Sequence, residues 1–380
     1  MTSNASARAV GLPRMHKERG EVRDFLPEFV AALDRSGAES IVLEQGYGAG
    51  MGVGRNEYLE SATSIRFGSH SECLAQDVVI VVRCPDDGSL QTMKRGATLV
   101  SMLHFPTRPD RVTLLDQLGL SALSLDSLTD DEGNRLVQNM EAVAWNGMDA
   151  AFGELADIRN DFYDPGRAPL SVTILGSGAV GTHAVHAATR YGNVSRRAHQ
   201  VDRGVSGVEV TVVDFDLTGN EAYMLDRLAA TDLLVDATQR PDPALVVIPN
   251  RWLAALPETA VVLDLAADPY EPLGEPAVVK GIEGIPQGDL DRWVFYPDDP
   301  VYDRLPKVVD TTVRRVAVSC FSWPGRTPKS CMEIYGEQLE PLLKPMLTLP
   351  PDKWDPSSDD AGERALTRAE MSGWLKATRN

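Results

Sequence analysis

The stretch SVTILGSGAVGTHA, Ser171 to Ala184, constrains the fold more than any other part of the chain. A β-branched run ends at Leu175, a G-x-G-x-x-G turn follows with Gly176, Gly178 and Gly181, and a helical stretch begins at once. The first glycine permits a tight turn, the second lets a pyrophosphate approach the backbone, and the third lets helix and strand pack closely. The free N–H groups at the helix start, around Ala179 and Val180, complete an anion cradle. Three glycines alone are weak evidence, but strand, turn and helix together point to a dinucleotide-binding unit. The following strand, VEVTVVD, ends in Asp214. A carboxylate there accepts hydrogen bonds from a ribose diol and repels a 2′-phosphate, so NAD is expected over NADP. The distance from Gly181 to Asp214 exceeds the usual spacing of roughly 20 residues. The segment YGNVSRRAHQVDRGVSG reads as an inserted loop, and an NADP reading would rest on its Arg196 and Arg197.

A second glycine cluster, EQGYGAGMGVGRNEY, places Gly46, Gly48, Gly50, Gly52 and Gly54 at alternate positions. No regular helix begins at its first glycines, so it fails as a phosphate cradle. It reads as a flexible crossover loop, with Tyr47, Met51 and Val53 available for packing.

Elsewhere short apolar runs alternate with helical stretches. RAVGLP, ESIVLEQ, DVVIVVR, ATLVSML and SALSLDSL form one series; SVTIL, VEVTVVD, DLLVDAT and AVVLDLAAD form another. Such alternation predicts α/β architecture with two parallel, Rossmann-like sheets. The helix DFLPEFVAALDRSG closes on Gly37, and DEGNRLVQNMEAVAWNGMDAAFGELADI reads as one long helix between the two series. The expected organisation is residues 1–145 as a first, catalytic domain and 146–310 as the NAD-binding domain. Residues 311–380 are expected to return to the first domain and end in a polar tail with one short helix.

A chain of 380 residues is too long for one ordinary core. Its formal net charge of −18 argues against nucleic acid and against an anionic membrane surface. No run of about 18 apolar residues marks a membrane span, and the start lacks the apolar core of a signal peptide. The cysteines Cys73, Cys84, Cys320 and Cys331 have no C-x-x-C spacing, as expected of reduced thiols in a cytoplasmic protein. His183 and His186 have no acidic or thiol partner beside them, so no metal site is expected.

Several segments, in order, resemble the alanine dehydrogenase and transhydrogenase superfamily, and more closely its saccharopine dehydrogenase branch. They are VGLPRMHKERGEVRDFLPE, EQGYGAGMGVGRNEYLESAT, VVRCP, VSMLHF, LDSLTDDEGNRLVQNMEAVAWNGMDAA and SWPGRTPKSCMEIYGEQLEPLL. The resemblance covers roughly Ala9 to Leu347. It implies two Rossmann-like domains with the active site in the cleft between them. It implies that Arg23 binds a substrate carboxylate, for which a planar guanidinium is suited. It implies that His104, at the end of LVSML, exchanges protons with the substrate, a task for which an imidazole is suited. Asp268, in VLDLAADP, falls where the family has an aspartate near nicotinamide and substrate, with Asp264 as the competing, structural carboxylate. Arg83 departs from the family, which usually has lysine there. An arginine cannot serve as a base, but it can anchor a carboxylate or polarise a carbonyl.

The implied activity is NAD-dependent oxidoreduction at the C–N bond of an amino acid, with an amino acid and a 2-oxo acid as partners. Saccharopine-type reductive condensation is the main expectation. An alanine dehydrogenase-type reaction with ammonia is one alternative, and a catalytically silent NAD-binding protein is the other. Superfamily members differ in oligomeric state, which leaves a homo-oligomer open.

Overall fold

The computed structural model describes residues 7–275 and 277–378. The chain divides into two units, Met1–Asn139 with Pro328–Asn380, and Met140–Thr327. Each is built on a six-stranded sheet.

The first sheet contains β1 (Val10–Leu12), β2 (Ile41–Glu44), β3 (Ile65–Gly68), β4 (Val78–Arg83), β5 (Thr98–Met102) and β6 (Ser121–Ser124). Their order is β3-β2-β1-β4-β5-β6, and every pairing is parallel. β1, β2 and β4 carry almost unbroken apolar runs because helices cover both sheet faces. β3, IRFG, is a half-exposed edge strand whose sequence offers no apolar run, and it escapes the sequence pattern. The order reverses at β1, which lies between β2 and β4. In open α/β sheets ligands bind at such a reversal, beyond the carboxyl ends of the strands.

The helix Pro27–Arg35 starts with proline in its first turn and buries Phe29, Val30, Ala32 and Leu33 against this core. It stops before Gly37, whose φ of +94° suits glycine. The glycine-rich segment is an ordered clamp, in contrast to the flexible loop expected. Gly48 N donates to Asp24 Oδ2 at 2.7 Å, Phe25 N donates to Tyr47 Oη at 3.0 Å, and Tyr58 Oη donates to Phe25 O at 2.9 Å. Tyr47 and Val53 are buried and Met51 packs beside them. The alternate glycines let this turn wrap the backbone of Val22–Phe25.

The second sheet contains β7 (Leu170–Leu175), β8 (Val208–Val213), β9 (Leu233–Asp236), β10 (Val261–Asp264), β11 (Val294–Phe295) and β12 (Val316–Ser319). Their order is β11-β12-β10-β9-β7-β8, with only β11 antiparallel. The architecture of two mostly parallel, Rossmann-like sheets agrees with the alternation in the sequence. β12 pairs with β10, so the chain leaves the second unit at Pro328 rather than at residue 311.

Three other segments differ from expectation. The long helix spans only Met140–Ile158, because Asp130 accepts hydrogen bonds from the backbones of Glu132 and Asn134 and folds the preceding residues into a turn. The stretch expected as an inserted loop contains the helix Val194–Asp202, capped by the Asn193 side chain. The polar tail forms two helices, Ala361–Ala369 and Met371–Thr378, and buries Leu366, Ala369 and Met371 in the first unit. Their apolar stripes are narrow, which hides them in a charged sequence. Among the described residues no helix is long and apolar enough to cross a membrane.

Candidate active site

In the first unit, parallel pairing brings the ends of β4 and β5 to one edge. Arg83 pairs in register with Met102, two residues before His104. His104 has a left-handed backbone, φ 52°, which is unusual for any residue but glycine and costs of order 1–3 kcal/mol. Asp126 supports that conformation. Its Oδ1 accepts from the backbone N–H of Leu103 at 3.0 Å and of His104 at 3.2 Å, and from Ser124 Oγ at 2.6 Å. Its Oδ2 lies 3.3 Å from His104 Nδ1. Burial works against ionisation of Asp126, but the hydrogen bonds and charge of His104 hold its carboxyl well below the usual range. The arrangement fixes a proton on Nδ1 and leaves Nε2 of a half-exposed ring for proton exchange. Sequence analysis missed Asp126; its signal is a carboxylate just beyond the next strand, in SLDSL.

Arg83 lines a pocket with Arg14, His16, Glu18, Cys84 and Ser89, at the β1/β4 reversal. Its Nε is 3.4 Å from Glu18 Oε1. Burial pulls its guanidinium below the ordinary arginine value, with Glu18 opposing that shift. Arg23 is buried, with Nε 2.8 Å and Nη2 2.6 Å from the two carboxylate oxygens of Glu21. Nη1 faces Cys331 Sγ at 3.7 Å. Burial would lower its pKa, but Glu21 more than reverses that effect. The planar fork expected to grip a substrate carboxylate is thus occupied by a carboxylate from the chain itself.

In the second unit the phosphate cradle can be tested atom by atom. Gly176 has φ +95°, and a Cβ there would lie 2.8 Å from Ala237 O; a Cβ at Gly181 would lie 2.1 Å from Gly176 O. Both glycines are required by the packing of the turn. A Cβ at Gly178 would meet nothing within 4 Å, so space remains on the side where a pyrophosphate would approach. The helix Ala179–Ala188 has no side-chain cap at its start, which leaves its N-terminal N–H groups to a ligand. Asp214 follows β8, and its Oδ2 accepts from Ser177 Oγ in the glycine turn at 2.9 Å. Arg196 is directed elsewhere: it donates to Tyr191 O at 2.5 Å and pairs with Asp149 at 3.1 Å. The cradle fits a dinucleotide, and this engagement of Arg196 weakens the NADP reading.

Asp268 is one-third exposed and pairs with the buried Arg240, 2.5 Å from Nη2. Just before it, Ala267 has φ 59° and donates its N–H to Asp264 Oδ1 at 2.8 Å. Asp264 is buried, ion-paired with Lys280, and accepts from Ser319 Oγ at 2.9 Å. Burial opposes its ionisation, but Lys280 holds its pKa down; burial and the Asp264 charge raise that of the neighbouring Asp236. Asp264 therefore sits inside a structural network while Asp268 reaches solvent. Neither Lys280 nor Arg240 has a sequence neighbour that signals its role.

Residues 16–144 match the family model described as Alanine dehydrogenase/PNT, N-terminal domain. The NAD(P) transhydrogenase subunit alpha of Haemophilus influenzae is 21% identical over 88% of this chain, and the chain spans 65% of that relative's length. The alanine dehydrogenase of Bacillus subtilis is 24% identical, over 68% of this chain and 70% of its own. A solved L-alanine dehydrogenase superposes with a TM-score of 0.66 at 18% identity, covering 95% of this chain and 94% of its own, which establishes a shared fold. Residues 16–144 thus resemble the N-terminal domain of alanine dehydrogenase/PNT, and the chain is similar over most of its length to alanine dehydrogenases and transhydrogenases.

Proposed function

We propose that the chain is an NAD-dependent oxidoreductase of the alanine dehydrogenase type, acting at the C–N bond of a small amino acid and its 2-oxo acid. The observation that carries this is His104, held in a strained backbone by Asp126 and aligned with Arg83 at one sheet edge. Bound NAD supplies the hydride acceptor for this chemistry. Gly176, Gly178, Gly181 and the N–H groups at Ala179 and Val180 would hold its pyrophosphate, and Asp214 its ribose. His104 Nε2 takes a proton from the substrate nitrogen or oxygen and returns it, while Asp126 keeps the ring oriented. Arg83 anchors a carboxylate, for which Glu18 is the resident counter-charge. Asp268 contributes a carboxylate on the cofactor side, and Arg23 acts through the rigidity of its pair with Glu21. The likeness to alanine dehydrogenases moves the preferred reaction from saccharopine-type condensation to one in which ammonia is the amine.

A second reading, NAD binding without amino-acid turnover, rests on Arg83 standing where the family usually has lysine. Cofactor binding is tested by titrating the full chain with NADH and NADPH, followed by nucleotide fluorescence. NADH should bind more tightly, and Asp214→Ala should narrow the difference. Tighter binding of NADPH by the unmodified chain would overturn the cofactor assignment.

A further inference from the structure

Beside Arg83 the carboxyl edge of the first sheet holds a constellation that the proposed reaction does not use. His16 follows β1, Glu44 ends β2, and His70 follows β3. His16 Nε2 is 2.6 Å from Glu44 Oε1, and His70 Nδ1 is 2.8 Å from Glu44 Oε2. One ligand atom from each of the three residues lies within 4.8 Å of the others. Glu44 is buried, its Oε2 also accepting the Arg14 N–H at 2.7 Å, while His16 is about half exposed.

Hydrogen-bond direction indicates what belongs there. Ser89 Oγ is 3.0 Å from Asp86 Oδ2, and the carboxylate can only accept, so the single hydroxyl proton points to Asp86. Asp86 is kept ionised by its bonds from the Ser89 backbone and side chain. With its proton on Asp86, Ser89 Oγ, 3.3 Å from His70 Nε2, is placed to accept from that ring nitrogen when a metal ion is bound at Nδ1. In a neutral ring that leaves the Nδ1 lone pair facing the Glu44 carboxylate. Two lone pairs in contact require a positive charge between them, either a second ring proton or a metal ion.

We propose that His16 Nε2, the Glu44 carboxylate and His70 Nδ1 bind a late first-row divalent cation of the zinc class. Two imidazoles and one carboxylate are the ligand set of zinc sites that keep an open position, whereas calcium and magnesium favour oxygen donors. The bond lengths of a tetrahedral zinc ion put its donors about 3.3 Å apart. The two histidine–carboxylate spacings, 2.6 and 2.8 Å, are shorter than that, so the side chains would move slightly apart to accommodate the ion. Ser89 and Asp86 form the outer partners that fix the His70 tautomer, as a carboxylate or hydroxyl commonly does behind a metal-bound histidine. Both imidazoles line the pocket that Arg83 lines, so the open position would face an anionic ligand held there. The site was not expected from sequence because its three residues lie on separate crossovers of the sheet.

The test is a titration of the full chain, first treated with chelator, with Co²⁺ as probe and visible absorption as readout. One Co²⁺ should bind per chain, give the intense bands of a four- or five-coordinate site, and be displaced by Zn²⁺. His16→Ala and His70→Ala should each weaken binding by more than about 100-fold, and Ser89→Ala by about 10-fold, the scale of an outer-shell loss. His183→Ala should leave binding unchanged. His16 is half exposed, so His16→Ala is read even if variants of the buried Glu44 fail to fold. No saturable band, or a band that persists in both histidine variants, overturns the proposal. The titration needs neither nucleotide nor substrate, so its outcome is independent of the oxidoreductase reading.

Discussion

His104 and Asp126 act as one unit, because the carboxylate fixes both the backbone and the ring tautomer of the histidine. Asp126→Asn should lower kcat by about 10²-fold, the scale of a lost general acid–base contribution, while the Kd for NADH stays the same. An unchanged kcat with a proven substrate would make the pair merely structural. Arg83→Ala should lower kcat/KM by at least about tenfold, since a charge-assisted hydrogen bond contributes about 1.5–3 kcal/mol. Equal kcat/KM in the two proteins would remove Arg83 as an anchor. His104 and Arg83 stand out in the sequence through the family resemblance, each at the end of an apolar strand, and their proposed roles rest on it. Asp126 does not, because a short strand followed by Asp-Ser looks like any turn. The grip of Glu21 on Arg23 was equally hidden, since two residues of separation does not reveal which way either side chain points.

At the scale of elements, the glycine-rich clamp separates backbone strain from steric exclusion. Gly48 and Gly52 both have positive φ, 79° and 74°. A Cβ at Gly48 would lie 2.6 Å from the Tyr58 ring, while one at Gly52 meets nothing within 4 Å. Gly52→Ala should therefore cost about 1–2 kcal/mol for the left-handed backbone alone. Gly48→Ala should cost about 1–3 kcal/mol more for overpacking, as read by urea denaturation. Equal losses would show that the clamp yields at Tyr58. The same clamp buries Asp24, and burial lifts its pKa from 3.8 to about 7 against the opposing Gly48 N–H. A carboxyl raised in the folded state contributes stability that is complete below its unfolded pKa and is lost as pH rises through the folded value. Asp24→Asn should thus leave Tm nearly unchanged near pH 4 and raise it progressively towards pH 8. A Tm difference independent of pH would contradict the buried, protonated carboxyl. The sequence shows this segment to be unsuited to phosphate, but not that it is rigid; rigidity comes from Asp24, Tyr47 and Tyr58 meeting across the turn.

For the whole molecule, the alternation of apolar strands and helices made both sheets legible. The edge strands β3 and β11 were lost because neither needs a continuous apolar run. The return of the chain at Pro328 was displaced in the sequence reading because VAVS looks the same in either sheet; only its pairing with β10 assigns it to the second. The tail was underestimated because a charged sequence can still bury one face of a helix, as Leu366 and Ala369 do. Each unit contributes one half of the proposed chemistry, proton transfer from the first and the dinucleotide cradle from the second. The central claim is therefore tested by turnover of the full chain. NADH absorbance should be followed across a matrix of small 2-oxo acids, each with ammonium and with amino acids as the amine. NADH oxidation should require both a 2-oxo acid and an amine, be fastest with ammonium, and be lost in His104→Ala. Tight NADH binding with no oxidation under any combination would contradict that claim and leave a nucleotide-binding protein without this chemistry.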